Sequence, residues 1–136
     1  MSISPPESLR RLLVPGPAPG KPRMTQRDKW AQRPCVMEYR AWADSVRQVC
    51  GTPPAAELTE HIFIRAFYRP PESWSKARQA AAIGQRKRTK PDPDNIGKAV
   101  LDAIWKQDAA VGDVTVERRW ASQDVTVIEI TLECAA

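Results

Sequence analysis

The spacing of apolar residues along the chain predicts four strands. Leu9 to Val14 is a short apolar run that favours a strand, and the proline- and glycine-rich segment after it cannot continue ladder pairing. Leu58 to Tyr68 is rich in aromatic and β-branched residues. Val114 to Ala121 and Val125 to Leu132 alternate in the same way, and the connection between them is short enough for a β-hairpin. The residues of the second strand that we predict to share one face are Ile62, Ile64, Ala66 and Tyr68.

Spacings of three and four residues predict three helices. The first runs from Val36 to Cys50 and ends before Gly51, which is a favourable C-terminal residue. A short helix capped by Ser73 is predicted to extend through Ile83, and a longer one runs from Asn95 to Lys106. The predicted apolar stripes are Val36, Tyr39, Ala43, Val46 and Cys50 in the first helix, and Ile96, Ala99, Val100, Ala103 and Ile104 in the third.

These elements follow one another in the order β-α-β-α-α-β-β. That order predicts an α/β (α+β) fold with a mixed four-stranded sheet and helices packed on it. A length of 136 residues suits one domain. We expect residues 1–8 to be a flexible tail and residues 9–136 to form the domain, with a long loop reaching Pro34.

Several classes of protein are disfavoured by the composition. No apolar run approaches the ~18 residues of a membrane helix, and the N-terminus lacks the features of a signal peptide, so we expect a cytoplasmic protein without membrane contact. Cys35, Cys50 and Cys134 are odd in number and scattered, which argues against a disulfide framework or a zinc ribbon. His61 is the only histidine and lies in an apolar stretch. We therefore expect chemistry based on carboxylates, lysines and a hard metal ion.

Positive charge is concentrated in two stretches of the chain, whose formal net charge is +5. Such clusters suit a polyanion, because neutralisation of phosphates supplies much of the affinity for nucleic acid. A solvated surface or a flexible loop is the alternative interpretation. The basic residues that we expect to contact DNA are Lys76, Arg78, Arg86, Lys87, Arg88 and Lys90 in one stretch, and Lys21 and Arg23 in the other.

The candidate chemistry lies between Lys90 and Lys98. Asp92 and Asp94 are two residues apart in a segment that two prolines should hold extended, so both carboxylates would point the same way. Oxygen ligands of this kind match Mg²⁺, or Mn²⁺ as a substitute. The pair precedes a predicted helix, whose N-terminus favours anions such as a carboxylate or a DNA phosphate. Lys98, one turn into this helix, lies within reach of a phosphate bound there.

A purely structural interpretation of these residues stays open. In it Asp94 caps the helix, Asp92 is solvated, and Lys98 pairs with Asp102. An Asp-x-Asp pair alone is also shared with sugar-nucleotide enzymes and phosphatases. Asp113 favours a metal site over the structural interpretation, because a strand paired beside residues 92–94 would bring a third carboxylate to the site.

The chain resembles the RusA family of Holliday junction resolvases in the motif Asp92-x-Asp94-Asn95-x-x-Lys98-x-x-x-Asp102-Ala103 with Asp113 downstream. The resemblance implies a homodimer that binds four-way DNA junctions and nicks two opposed strands with Mg²⁺. It also implies that Asp92, Asp94 and Asp113 bind the metal and that Lys98 is the catalytic lysine. The chain departs from the pattern at Gly112, where many members have a second acid, and at Thr115, where glutamine is frequent.

The expected function is thus a magnesium-dependent endodeoxyribonuclease that resolves Holliday junctions in DNA recombination and repair, in a bacterial or phage-infected cell. Metal-activated water would attack the scissile phosphate. The alternative is a non-catalytic basic DNA-binding module in which the acids only cap and pair. A nucleotidyl or glycosyl transferase fits less well, because the chain has no glycine-rich nucleotide cradle.

Overall fold

A computed structural model of the chain describes residues 9–22, 33–106 and 110–133. The predicted order of elements and the mixed α+β fold with one four-stranded sheet are confirmed. A short 3₁₀ turn at Ala56–Leu58 precedes the second strand. The helices and strands are β1 (Leu9–Pro15), α1 (Pro34–Cys50), β2 (Thr59–Tyr68), α2 (Lys76–Ala82), α3 (Pro93–Ile104), β3 (Asp113–Trp120) and β4 (Val125–Leu132).

The strands lie in the order β1-β4-β2-β3. β4 is antiparallel to both β1 and β2, whereas β3 is parallel to β2. The parallel register places Asp113 opposite His61 and Val114 opposite Ile62. β3 is therefore an edge strand, and its first residue lies at the same end of the sheet as the start of β2.

The predicted hairpin between β3 and β4 is wrong, because β2 lies between these two strands. Residues 121–124 pass over the end of β2 and are fixed there. The Ala121 amide donates to Tyr68 O at 2.8 Å, and the Arg69 amide donates to Asp124 Oδ1 at 2.8 Å. Four residues suffice to span two strand spacings of about 4.8 Å each, so the length of a connection cannot identify a hairpin by itself.

The predicted apolar faces form the core. All five residues of the α1 stripe are buried, together with Trp42, and so are all five residues of the α3 stripe. Ile62, Ile64, Ala66 and Tyr68 of β2 are buried on the face of the sheet that meets these helices. α1 begins at Pro34, two residues before the predicted start, because proline is favourable in the first turn of a helix.

α2 is shorter than predicted and lies at the surface. It begins after Ser75 rather than Ser73, since Ser75 Oγ accepts a hydrogen bond from the Arg78 amide at 3.2 Å. None of its residues is buried. This helix therefore adds little to the core.

Some predictions concern residues that the structure does not describe, namely the tail at residues 1–8, Arg23 and Cys134. Of the other two cysteines, Cys50 is buried and Cys35 is exposed, and both are free thiols. Across residues 9–22, 33–106 and 110–133, no helix has the length and apolar character needed to cross a bilayer.

Candidate active site

Asp92 is the N-terminal cap of α3. Its Oδ1 accepts a hydrogen bond from the Asn95 amide at 2.9 Å, and Pro93 occupies the first helical position. The helix thus begins two residues earlier than predicted, and the extended backbone ends at Asp92. Asp94 lies in the first turn, and both carboxylates are exposed. The two acids therefore lie at a helix start rather than in the extended segment that was predicted.

Asp94 forms an ion pair with Lys98, whose Nζ lies 3.2 Å from Asp94 Oδ2. Both side chains are largely exposed, so the pair contributes about 0–1 kcal/mol. Lys98 is therefore easily drawn to a stronger anion. The alternative pairing of Lys98 with Asp102 is wrong, because Asp102 pairs with Lys21.

The contact between Asp102 and Lys21 fixes residues 16–22 beside α3. In the same segment the hydroxyl of Tyr68 donates to Ala18 O at 2.6 Å, and burial raises the pKa of this tyrosine. The Lys21 amide also donates to Asn95 O at 3.4 Å. Lys21 was predicted to contact DNA, but here its amine contacts an acid of α3.

Asp113 lies on the other face of the sheet from α3. Val114 and Val116 face the helix, since a Cβ atom added at Gly97 would lie 3.9 and 3.5 Å from their methyl groups. Side chains alternate along a strand, so Asp113 and Thr115 point the opposite way. In agreement, Thr115 Oγ1 lies 2.9 Å from His61 Nε2.

One chain therefore does not gather the three predicted carboxylates. Within the described ranges, no group of three or more histidine, cysteine, aspartate or glutamate side chains could hold a metal ion. Asp92 and Asp94 remain together at the start of α3, and Asp113 is separate. The expectation that a strand brings Asp113 to residues 92–94 is therefore not met within one chain.

Two shallow grooves meet at Pro93 and Val116, between α3 and β3. The first has a volume of about 320 Å³ and is lined by Asp94 and Lys98. The second has a volume of about 340 Å³. Its charged lining residues are Arg86, Lys87, Arg88, Glu117, Arg118 and Arg119. The acidic start of α3 is thus flanked by a mainly basic surface.

The predicted DNA-contacting residues divide into distinct groups. Arg86, Arg88 and Lys90 are exposed near the start of α3. Lys87 lines the basic groove but is only 6 % exposed, and its amine donates to Thr89 O at 3.1 Å. Arg78 stacks on the ring of Trp74 at 3.7 Å. Lys76 lies on α2 and lines a different cavity.

Arg118 and Arg119 were not singled out from the sequence, although they line the basic groove. Arg118 Nη1 donates to Thr89 O at 2.8 Å and to Pro91 O at 3.2 Å. Arg119 pairs with Glu117 at 3.8 Å. The only signal in the sequence was two adjacent arginines in a predicted strand, which alternation places on opposite faces of the sheet.

A comparison with known protein families supplies the assignment. The profile of the RusA endodeoxyribonuclease family matches residues 15–133, which is most of the chain. This chain belongs to the RusA endodeoxyribonuclease family. A search of curated proteins finds no match. Membership of the RusA family implies an endodeoxyribonuclease that acts on Holliday junction DNA.

Packing explains why this RusA family chain has glycine at position 112. The Gly112 amide donates to Thr59 O at 3.0 Å. A Cβ atom added at Gly112 would lie 2.3 Å from Glu60 O, which is far inside contact distance. With this backbone, the second acid that many members carry has no room before Asp113.

Proposed function

We propose that the chain is a magnesium-dependent endodeoxyribonuclease that resolves Holliday junctions by paired nicks during DNA recombination and repair, in the cytoplasm of a bacterial or phage-infected cell. One observation carries this proposal. Two exposed carboxylates, those of Asp92 at the N-cap and Asp94 in the first turn, lie at the start of α3, where a groove that contains Lys98 meets a groove lined by arginines. Family membership supports the nuclease activity and the junction substrate.

The donor set at the start of α3 fits magnesium. This ion keeps several waters and is often held by one or two carboxylates together with substrate phosphates. One oxygen of Asp92 is engaged by the Asn95 amide, which leaves its second oxygen available for a metal ion. When bound, the ion would lower the pKa of a coordinated water and offset charge on the phosphate.

The other residues of the site would bind and orient the DNA. Lys98 would exchange its weak contact with Asp94 for the scissile phosphate, because a phosphate beside a metal site is the stronger anion. Arg86, Arg88 and Lys90 would hold flanking phosphates, which positions the backbone without reading bases. The capping hydrogen bond of Asp92 would keep its carboxylate in one orientation.

We propose that the active unit is a symmetric homodimer, since paired cuts need two active sites. The surface that we assign to the interface is the face of the sheet opposite α1 and α3, where Leu13 is 61 % exposed. On the same face Arg65 lies 3.6 Å from Glu117 and 3.9 Å from Glu129. Apolar side chains and both signs of charge make this face suitable for a second copy of itself.

Asp113 belongs to the same face of the sheet, by the alternation of β3. A third carboxylate at the start of α3 would therefore come from the other copy of the chain. In the proposed dimer, Asp92 and Asp94 of one subunit and Asp113 of the partner subunit share one metal site. This arrangement reconciles the three acids of the family motif with their separation within one chain.

A nicking assay on a synthetic four-way junction tests the function. We expect nicks in two opposed strands in the presence of Mg²⁺, and little cleavage of a linear duplex of the same sequence. The rival function is a DNA-binding module without catalysis. The cap formed by Asp92 and the pair between Asp94 and Lys98 favour it, because both acids already have structural partners. Such a module would bind the junction and leave every strand intact.

The exposed basic residues next to α3 should dominate the salt dependence of junction binding. Replacing Arg86, Arg88 and Lys90 by glutamine should reduce the slope of log K against log salt by about 0.9 for each phosphate that the protein no longer neutralises. Arg47→Gln on α1 is the matched control, because Arg47 is exposed and contacts Asp44. A slope equal to that of the unmodified protein would place the DNA-binding surface elsewhere.

A further inference from the structure

Lys87 directs its charge into the protein rather than toward solvent. Its Nζ donates to Thr89 O at 3.1 Å, to Thr89 Oγ1 at 2.7 Å and to Lys90 O. An ammonium group has three donors, so each one has an acceptor in the loop before α3. Lys87 therefore has no donor left for a DNA phosphate.

Arg118 reaches the same loop from β3. Its Nη1 donates to Thr89 O at 2.8 Å and to Pro91 O at 3.2 Å. Lys87 and Arg118 together bind three consecutive carbonyl oxygens, those of residues 89–91. The next residue is Asp92, the cap of α3 and a proposed metal ligand. Arg118 therefore connects β3 to the backbone that carries this carboxylate. Lys87 lies in the loop itself, where its amide donates to Arg118 O at 3.2 Å and its amine binds the next residues of the loop.

Placing these two cations together is unfavourable by itself. Burial, and then the charge of Arg118, lower the pKa of the Lys87 amine. Its Nζ lies 5.0 Å from the ring centroid of Tyr68 and 5.1 Å from that of Trp120, and these ring faces offset part of the cost. In the part of the chain that the structure describes, neither cation has a carboxylate within ion-pair distance. A costly arrangement beside a candidate site indicates a role in function.

We propose that Lys87 and Arg118 are positioning residues of the nuclease, which fix carbonyls 89–91 and so hold Asp92 and Asp94 in the geometry that binds metal. The inference rests on the proposed function, in which these two acids are metal ligands. Without the cations, Asp92 can still cap α3, but the backbone before it is no longer held. Groups that orient metal ligands typically account for about 10- to 100-fold in metal affinity or activity.

The test uses the full chain with Lys87→Met and Arg118→Met, which keep much of the apolar stem and remove the donors. Mn²⁺ affinity is measured without DNA from the electron paramagnetic resonance signal of free Mn²⁺. The half-saturating Mg²⁺ concentration for nicking and the metal-free junction Kd are measured beside it. We expect both metal measurements to weaken by about tenfold or more, with junction Kd unchanged. Arg118→Lys should recover part of the loss, and Arg47→Met should match the unmodified protein.

Two results would overturn the positioning role. One is an unchanged Mn²⁺ affinity in folded Lys87→Met and Arg118→Met. The other is weaker junction binding with unchanged metal dependence, which would make these residues DNA contacts. If Lys87→Met does not fold, Thr89→Val replaces it, because this variant removes only the hydroxyl that accepts from Lys87. The positioning role then requires a smaller loss of Mn²⁺ affinity in Thr89→Val.

Failure of the proposed function gives a different pattern. In that case the unmodified protein binds no Mn²⁺ at this site, and Asp92→Asn leaves Mn²⁺ affinity unchanged. Loss of Mn²⁺ binding in Asp92→Asn, together with full binding in Lys87→Met and Arg118→Met, would overturn the positioning role alone.

Discussion

Asp92→Asn should abolish nearly all junction nicking in Mg²⁺ while leaving the stability of the fold almost unchanged. Asparagine caps helices about as well as aspartate, so the hydrogen bond from the Asn95 amide is retained. The charge that would hold the metal in the proposed site is lost. Mutation of a group that orients a metal ligand typically lowers metal affinity or activity by about 10- to 100-fold. Loss of a direct ligand should therefore lower the nicking rate by more than about a hundredfold. Initial rates on a labelled four-way junction and thermal unfolding measure the two effects separately.

Two further variants distinguish the metal role of Asp92 from its capping role. Asp92→Ala removes the cap as well as the charge and should lower stability by about 1 kcal/mol. Asp44→Asn is the matched control, because Asp44 is an exposed aspartate of α1 that pairs with Arg47. Metal-free junction binding by Asp92→Asn should persist or tighten, since one carboxylate no longer repels phosphate. Nicking near the original rate in folded Asp92→Asn would show that capping is the main role.

Chains that carry Asp92→Asn and chains that carry Asp113→Asn should be inactive alone and active together. In the proposed dimer, one site of the mixed pair contains both substitutions, and the other has Asp92 and Asp94 from one subunit and Asp113 of the partner subunit. Co-expression with two affinity tags isolates the mixed dimer. We expect nicking of one strand per junction, with the paired second cut lost, because only one site is intact.

The matched control pairs Asp92→Asn with Asp94→Asn. Both residues lie at the start of the same helix, so every site in this mixed dimer lacks one ligand and no activity should return. Absence of nicking from the first mixture, with both variants folded and dimeric, would exclude the shared site. Full activity of Asp113→Asn alone would remove Asp113 from the set of ligands.

Much of the fold could be predicted because burial is periodic in this chain. The α1 and α3 stripes and the inward face of β2 were all recognised, since each buries one side of a regular element. The strand order could not be read in the same way. Alternation shows that β3 and β4 are strands but does not show that β2 lies between them.

The candidate site, like the fold, could be predicted only where its residues are close in sequence. The sequence predicted that Asp92, Asp94 and Lys98 lie close together, and all three are found in the N-cap and first turns of α3. It could not show that Asp113 faces away from α3, because this depends on the phase of β3 relative to the helix. It also gave no signal for the contact between Arg118 and the loop before α3, because the two acceptors lie 27 and 29 residues away in sequence.

Lys87 shows that charge alone does not identify an exposed residue. It belongs to a run of four basic residues within five positions, yet it is buried while Arg86 and Arg88 are exposed. The rings of Tyr68 and Trp120 and the carbonyls of the loop make that burial tolerable. The two rings come from β2 and β3, which become neighbours of Lys87 only in the folded chain.

Cleavage of a four-way junction by the purified chain, with each of the four strands labelled in turn, tests the central claim most directly. The reaction is followed in Mg²⁺, in EDTA, and in EDTA with Mg²⁺ restored. Metal-assisted hydrolysis predicts nicks in two opposed strands that saturate with Mg²⁺, vanish in EDTA and return when Mg²⁺ is restored. Junction binding at full affinity with all four strands intact at every Mg²⁺ concentration would contradict the nuclease assignment.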